Sequence, residues 1–373
     1  MTENKKYNDL EQCGGELELY LHIPFCVKKC KYCDFLSFPT DSTTMKSYVD
    51  ALCREIRWKA GQAGGYVVRS IFFGGGTPSL LLGQWMKQIM DTIRENYVVS
   101  PMAEISMESN PGTLTKEKLL TYKSAGINRL SIGLQSADDR ELKMLGRIHT
   151  YSQFLESYQM AVECGFENIN IDLMSALPNQ KTDVFTRSLE KVLALNPPPV
   201  HLSVYSLILE EETELFREYE QDSFRLPSEE EDRKMYAVTG RMLEQAGYGQ
   251  YEISNYARPG FECIHNQGYW TRVPYLGFGL GAAGFFDEKR YKNETDLRKY
   301  IEAPESACQL TEVLGTQQQM EEMMFLGLRM NQGVSKHAFH QCFGKPMEEI
   351  YGQVIQKNVE NGLLINEADI SDN

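Results

Sequence analysis

The stretch Tyr20-Leu21-His22-Ile23-Pro24-Phe25-Cys26-Val27-Lys28-Lys29-Cys30-Lys31-Tyr32-Cys33-Asp34-Phe35 sets three cysteines at C-x3-C-x2-C, directly after an apolar run with strand character. Three thiolates this close in sequence can converge on one metal centre but cannot close a tetrahedral four-ligand site. Structural zinc takes four protein ligands, commonly with cysteines in C-x2-C pairs. Three ligands fit a centre that keeps one position open, and iron–sulfur clusters are held by such thiolates. The stretch therefore predicts a [4Fe–4S] cube ligated by Cys26, Cys30 and Cys33, with one iron left without a protein ligand.

Working outward from the loop, a strand is predicted over 17–23 and a helix over 42–60, with Ser42 as its cap and Tyr48, Leu52, Ile56 and Lys59 at helical spacing. A β-rich run over 67–73 stops at Gly74-Gly75-Gly76-Thr77-Pro78. Further strands at 103–108, 128–134, 168–173 and 201–207 alternate with helices at 80–97, 115–125, 138–145, 151–164 and 181–195. Alternation at this spacing predicts parallel strands with right-handed crossovers. Six units do not complete an eight-fold barrel, so the expected fold is α/β, an open partial (β/α)6 barrel of TIM-like type.

Residues 210–231 are acidic and predict an exposed connection, followed by a helix over 232–246. Residues 248–286 are rich in glycine and aromatics and too irregular for a helix; they are expected to cover the site. Helices at 317–330, 335–342 and 346–361, with a short apolar piece at 362–365, predict a small, mostly helical, winged-helix-like module. The expected division is a polar lead-in over 1–16, the barrel with its covering extension over 17–310, and the helical module over 311–373.

With 373 residues, 42% of them hydrophobic, the chain can bury a substantial core. A formal net charge of -14 argues against broad phosphate-backbone contact, so no nucleic-acid partner is expected. The first 18 residues hold no apolar signal core, and no run is long enough to span a bilayer. Peripheral membrane contact is left open. Nine cysteines lack the regular pairing of an extracellular framework, which points to a reducing, cytoplasmic setting. Cys13, Cys53, Cys164, Cys263, Cys308 and Cys342 are isolated and are expected to act as small hydrophobes or, for Cys13, to be exposed.

Active sites of parallel strand–helix folds lie at the carboxyl ends of the strands. The cysteine loop, the run from Gly74 to Pro78, Glu108, Gln135 and Asp172 all fall there, with Arg147 after the helix that follows the fourth strand. Singly, each has a structural reading: the glycines a tight turn, the polar side chains strand-end caps, Arg147 an exposed cation. Together they favour one shared site. In His265-Asn266-Gln267-Gly268-Tyr269-Trp270 two large aromatics follow a polar pair. The sequence admits a turn whose Tyr269 and Trp270 plug the barrel, or a planar ligand packed on them with His265 as axial ligand to haem iron.

The signature Cys26-x3-Cys30-x2-Cys33 resembles that of the radical S-adenosylmethionine (SAM) superfamily. The resemblance implies that the methionine part of SAM chelates the open iron and that one electron from the cluster cleaves its sulfonium. The segments at 20–26, 74–78, 104–108, 130–135, 145–147 and 170–173 are similar to the group of oxygen-independent coproporphyrinogen III oxidases (HemN). Carried over by position, Tyr20, Gly75 and Glu108 are implied to hold the cluster-bound SAM. Gly76, Thr77, Gln135, Arg147 and Asp172 match positions lining a second SAM site of the oxidase.

Two departures point elsewhere in the group. The oxidase has a fourth cysteine where this chain has Phe35, and a long segment before its signature where 19 residues precede Tyr20 here. Both, with His265-Asn266-x-x-Tyr269-Trp270, resemble the HemW branch, whose members are regarded as haem chaperones. That resemblance favours His265 as haem ligand and implies a haem cargo, a haem-acceptor protein and an electron donor. The alternatives are a coproporphyrinogen III oxidase, decarboxylating propionates in porphyrin biosynthesis, and a haem-degrading radical SAM enzyme.

Overall fold

The computed structural model describes residues 15–366. The lead-in up to position 14, Cys13 included, lies outside the described residues; Gly15 and Glu16 already belong to the first strand. β1 (Gly15–Ile23), α1 (Ser42–Lys59), β2 (Tyr66–Gly75), α2 (Gly83–Asn96), β3 (Val99–Ser109), α3 (Lys116–Ser124) and β4 (Arg129–Gln135) follow the expected alternation. Two helices, α4 (Asp139–Met144) and α5 (Tyr151–Glu163), lead to β5 (Asn168–Ser175); α6 (Thr182–Leu193) leads to β6 (His201–Ser206). The six strands pair in chain order, all parallel.

The acidic run at 210–231 is not simply a connection. It holds α7 (Glu214–Glu220) and the start of α8 (Glu229–Gln245), capped by Ser228, which accepts from the Glu231 N–H at 3.3 Å. The acidic residues of that first turn suit the positive end of the helix. Likewise Asp41, not Ser42, caps α1, accepting from the Thr44 N–H at 2.7 Å.

The irregular region forms β7 (Gly249–Gln250), β8 (Asn255–Ala257), α9 (Ile264–Trp270), β9 (Tyr275–Phe278) and β10 (Ala283–Phe286). Next come β11 (Lys289–Asn293), α10 (Leu297–Glu302) and β12 (Cys308–Val313). β9 adds in parallel beside β1 and β8 adds antiparallel beside β6. The sheet order is β12-β11-β10-β9-β1-β2-β3-β4-β5-β6-β8-β7, so both flanks are extended and the barrel stays open. The chain ends in α11 (Thr316–Gly327), α12 (Lys336–Phe343) and α13 (Met347–Glu360), which share a small core of Met320, Phe339 and Met347. Residues 362–365 form no strand.

Side-chain alternation along the strands explains where the site lies. Leu17, Leu19, Leu21, Ile71, Phe73, Met107, Leu130, Ile132 and Ile171 are buried in one cluster with Leu52, Ile56, Met86 and Ile89 of the first two helices. Each such side chain contributes about 1.5–3 kcal/mol of burial. The alternate positions are largely polar, and the register aligns them in rows. Glu18 lies opposite Ser70, and Ser70 opposite Glu104. Higher up, Glu108, Ser131, Asn170 and His201 are successive partners, and then Gly133, Asp172 and Ser203. The sheet face turned away from the helices is therefore lined for polar chemistry.

Candidate functional site

Past Ile23 the chain enters the cysteine loop, and backbone bonds tie that loop at both ends. The Cys26 N–H donates to the Phe38 carbonyl at 3.1 Å, and the Phe38 N–H to the Pro24 carbonyl at 2.9 Å. Midway, the Lys31 N–H donates to the Leu145 carbonyl at 3.0 Å and its own carbonyl accepts from Leu215 at 2.9 Å. Phe25 is fully buried at the base, edge-on to Phe38 and Tyr48. The Tyr48 hydroxyl donates to the His22 carbonyl at 2.6 Å and accepts from the Leu280 N–H at 3.0 Å, joining the end of β1 to the segment after β9. The loop is thus held in shape without a disulfide, and its three thiols are free and half-buried.

Two of the thiols already have polar neighbours. The Asn110 amide is the hub: its Nδ2 donates to Thr77 Oγ1 at 2.8 Å, and its Oδ1 accepts from Arg147 Nη2 at 2.6 Å. Thr77 Oγ1 lies 3.5 Å from Cys26 Sγ; since its oxygen accepts from Asn110, its own proton is available to the sulfur. Arg147 Nη1 donates to Cys30 Sγ at 3.6 Å, while Nη2 also reaches the Gly133 carbonyl. Hydrogen bonds to ligand sulfurs are a principal means by which a protein tunes a cluster. Among the described residues no three His, Cys, Asp or Glu side chains close on a single ion. A cube, with one thiolate for each of three irons, does not require such closure, and the three half-buried thiols with donors behind them fit it.

The carboxyl at the end of β3 fits a cationic ligand. Glu108 Oε2 accepts from the Gly75 N–H at 3.1 Å, and burial, reinforced by the nearby Asp172, pushes its pKa up to about 8. A carboxyl in that state gains most from an ammonium group, such as the amino group of SAM, which would restore its charge. Gly75 is at φ +110, and a Cβ there would lie 2.5 Å from the His22 ring, so glycine is required for β2 to pass β1 at this point. His22 is pinned: Nε2 donates to the Leu36 carbonyl at 2.9 Å, which leaves Nδ1 to accept from the Tyr20 hydroxyl at 3.0 Å. Burial lowers the pKa of His22, keeping it in this neutral form. Tyr20 is thereby oriented beside the glycine run.

Gln135 sits at φ 70 and its Oε1 accepts from the Tyr205 hydroxyl at 2.9 Å. Asp172 accepts from Ser131 at 3.0 Å and from Asn170 at 2.7 Å, and burial raises its pKa. These groups line the same end of the sheet as Glu108 and Arg147. Asn110, Tyr205 and His149 were not singled out by sequence. Asn110 follows β3 directly, so its place at a strand end was a usable signal. His149 had none: it lines a small cavity of about 20 Å³ with Cys30, Thr77, Asn110 and Arg147, and its Nε2 is buried with no partner among the described residues. Burial, then Arg147, lowers its pKa to about 3.

His265 lies elsewhere. On α9 it faces the middle of β2, not the strand ends. Nδ1 is 2.8 Å from Ser70 Oγ, Nε2 is 3.0 Å from the Tyr269 hydroxyl, and the ring stacks on Phe72 with centroids 5.1 Å apart. It is 2% exposed, and burial lowers its pKa to about 3. Gly268, one turn on, allows this approach: a Cβ there would lie 2.1 Å from Glu18 Oε1. Thus α9, a helix where a turn was one of the two expectations, packs against the polar face through His265 and Gly268. Tyr269 and Trp270 line a separate cavity of about 150 Å³ against α11.

Residues 20–192 match the model of the radical SAM superfamily, and residues 315–370 that of the HemN C-terminal domain. The chain is 38% identical to the heme chaperone HemW of Bacillus subtilis (strain 168), over 93% of this chain and 92% of the relative. It is 40% identical to the HemW of Escherichia coli (strain K12), over 72% and 70%. It is 32% identical to the mitochondrial radical S-adenosyl methionine domain-containing protein 1 of Danio rerio, over 91% and 78%. In structure it resembles the coproporphyrinogen III oxidase HemN from Escherichia coli, with a TM-score of 0.82 and 25% identity over 98% of this chain and 89% of the other.

Proposed function

We propose a function from one premise: this chain belongs to the HemW family of the radical SAM superfamily. It is a haem chaperone that binds haem and passes it to an acceptor protein. Cys26, Cys30 and Cys33 hold a [4Fe–4S] cluster, and SAM binds at its open iron. The observation that carries the reading is the meeting of the tied cysteine loop with Glu108, Thr77 and Arg147 at one end of the sheet. Phe35, 63% exposed where the oxidase has a cysteine, separates it from the oxidase.

The protein's own residues have definable tasks. Arg147 and Thr77 donate toward the sulfurs of Cys30 and Cys26 and so stabilise thiolate charge. Glu108, Tyr20 and the Gly75 backbone receive the amino end of SAM. Gly76, Gln135 and Asp172 line the remainder of that cleft, where a second SAM is a further option. When bound, cluster and SAM supply one-electron reductive chemistry, and an external donor provides the electron. The polar face and α9 against it keep the cleft closed from below.

Haem would bind at α9, where His265 would offer Nε2 to the iron and Tyr269 and Trp270 would pack against the macrocycle. For iron to take Nε2, the Tyr269 hydroxyl must turn away, at the cost of a hydrogen bond of about 1 kcal/mol, and α9 must open. The setting is the cytoplasm, where thiols stay reduced; among the described residues no helix is long and apolar enough to cross a membrane. The test is haem titration of the reconstituted protein beside His265→Ala. A weaker complex with a shifted Soret band supports the ligand; unchanged affinity and an unchanged band remove His265 from the site.

A further inference from the structure

The cavity between α9 and α11 has a chemical character of its own. Tyr269, Trp270, Tyr275 and Phe285 give it aromatic walls, and Arg272, Arg290 and Glu322 give it charge. Its volume of about 150 Å³ admits the polar edge of a ligand, not the whole of one. Both guanidinium groups lie over the Phe285 ring, at 5.2 and 5.5 Å from its centroid. One carboxylate joins them: Glu322 Oε2 accepts from Arg272 Nε at 3.3 Å, and Oε1 from Arg290 Nη2. Glu322 belongs to α11 of the C-terminal module, whereas both arginines belong to the extended sheet region.

Three features distinguish this from an ordinary surface ion pair. Glu322 is only 11% exposed, whereas the outer partners Glu288 of Arg272 and Glu312 of Arg290 are 43% and 44% exposed. Trp270 Nε1 is buried in the same wall with no hydrogen-bond partner among the described residues. And Tyr269 connects the cavity to His265, since its ring lines the one and its hydroxyl bonds the other. Arginine is the side chain best suited to carboxylates, through paired N–H donors.

We infer that this cavity takes the carboxylate edge of a planar aromatic ligand, that Arg272 and Arg290 bind those carboxylates, and that Glu322 holds their place until the ligand arrives. The inference rests on the haem reading above, in which the carboxylates are the two propionates. Exchange of Glu322 for a propionate frees α11 from the sheet region, so loading of the cargo is transmitted to the C-terminal module. The site is thereby an assignment for the propionates and a latch that reports occupancy.

The experiment is haem titration of the full chain, wild type, Glu322→Gln, Arg272→Gln and Arg290→Gln, each also with haem dimethyl ester, whose carboxylates are blocked. Removing the competing charge in E322Q tightens haem by about fivefold or more, and either arginine variant weakens it by about tenfold. The ester binds wild type and E322Q alike. Hydrogen exchange over 316–327 reports the latch independently of the substitutions, and it quickens when wild type is loaded with haem. If wild type binds no haem, the function proposed above falls, and this inference with it. If wild type binds haem and its ester equally, E322Q and both arginine variants bind as wild type does, and exchange in α11 is unchanged, the function stands and this inference is overturned.

Discussion

Arg147 donates from Nη1 to Cys30 Sγ at 3.6 Å, and its other nitrogen is fixed by Asn110 and the Gly133 carbonyl. Residues separated by 117 positions in sequence thus share one polar contact at the cysteine loop. A fixed cation beside a ligand sulfur favours the more negative, reduced state of a cluster.

Arg147→Met should therefore lower the reduction potential of the reconstituted cluster by tens of millivolts while leaving iron content unchanged. Redox titration followed by electron paramagnetic resonance reads both. A potential equal to wild type would show that the contact does not act on the cluster.

Replacing any of Cys26, Cys30 or Cys33 by Ala should abolish cluster assembly. Wild type is expected to hold about four irons and matching sulfide per chain after anaerobic reconstitution. Cys53→Ala, a change in the buried core away from the loop, should keep them. Uptake of one zinc without sulfide by wild type would refute the cluster.

Glu108 sets a pH dependence. Its folded pKa of about 8 stands above the ordinary 4.5, as does that of Glu18, which burial also pushes to about 8. A carboxyl with a raised folded pKa holds its proton more tightly folded than unfolded. Its stabilisation is complete below about 4.5 and is lost as pH climbs to about 8. The buried histidines, His149 and His265 above all, oppose this loss below their ordinary 6.5, so without ligands wild type should lose melting temperature between about 6.5 and 8, and Glu108→Gln should lose less, with Glu18 and Asp172 contributing to the remaining slope. Added SAM should raise the melting temperature of wild type more than that of Glu108→Gln. Identical pH slopes for the two proteins would count against a strained carboxyl at this position.

Tyr48 supports the loop from beneath. Tyr48→Phe leaves the His22 carbonyl and the Leu280 N–H without their shared partner inside the core. A destabilisation of about 1–3 kcal/mol is expected by denaturant unfolding, with cluster content retained. A change below that range would mean that the two backbone groups find other partners.

Much of this was legible in the sequence because the information is local. The cysteine spacing, the glycine run and the polar residue at each strand end lie within a few positions of the strands that place them, and Glu108, Gln135 and Asp172 do meet there. The extended flanks of the sheet were not legible. β7 to β10 have at most four residues each, too few for a periodic signal, and β9 is recognised as a strand by pairing with β10 and with β1, which is far away in sequence. The helix at Glu214–Glu220 was hidden for a different reason: charge masks its single buried residue, Leu215. For His265 the sequence offered a plug and a ligand, and burial against Ser70 and Phe72 shows the packing from which any ligand role must start.

The central claim is tested most directly by offering haem and coproporphyrinogen III in parallel to the anaerobically reconstituted protein, with SAM and a reductant present. A stable haem complex that loads an apo acceptor, with coproporphyrinogen III left unchanged, is the result predicted here. Formation of protoporphyrinogen without a stable haem complex would contradict it.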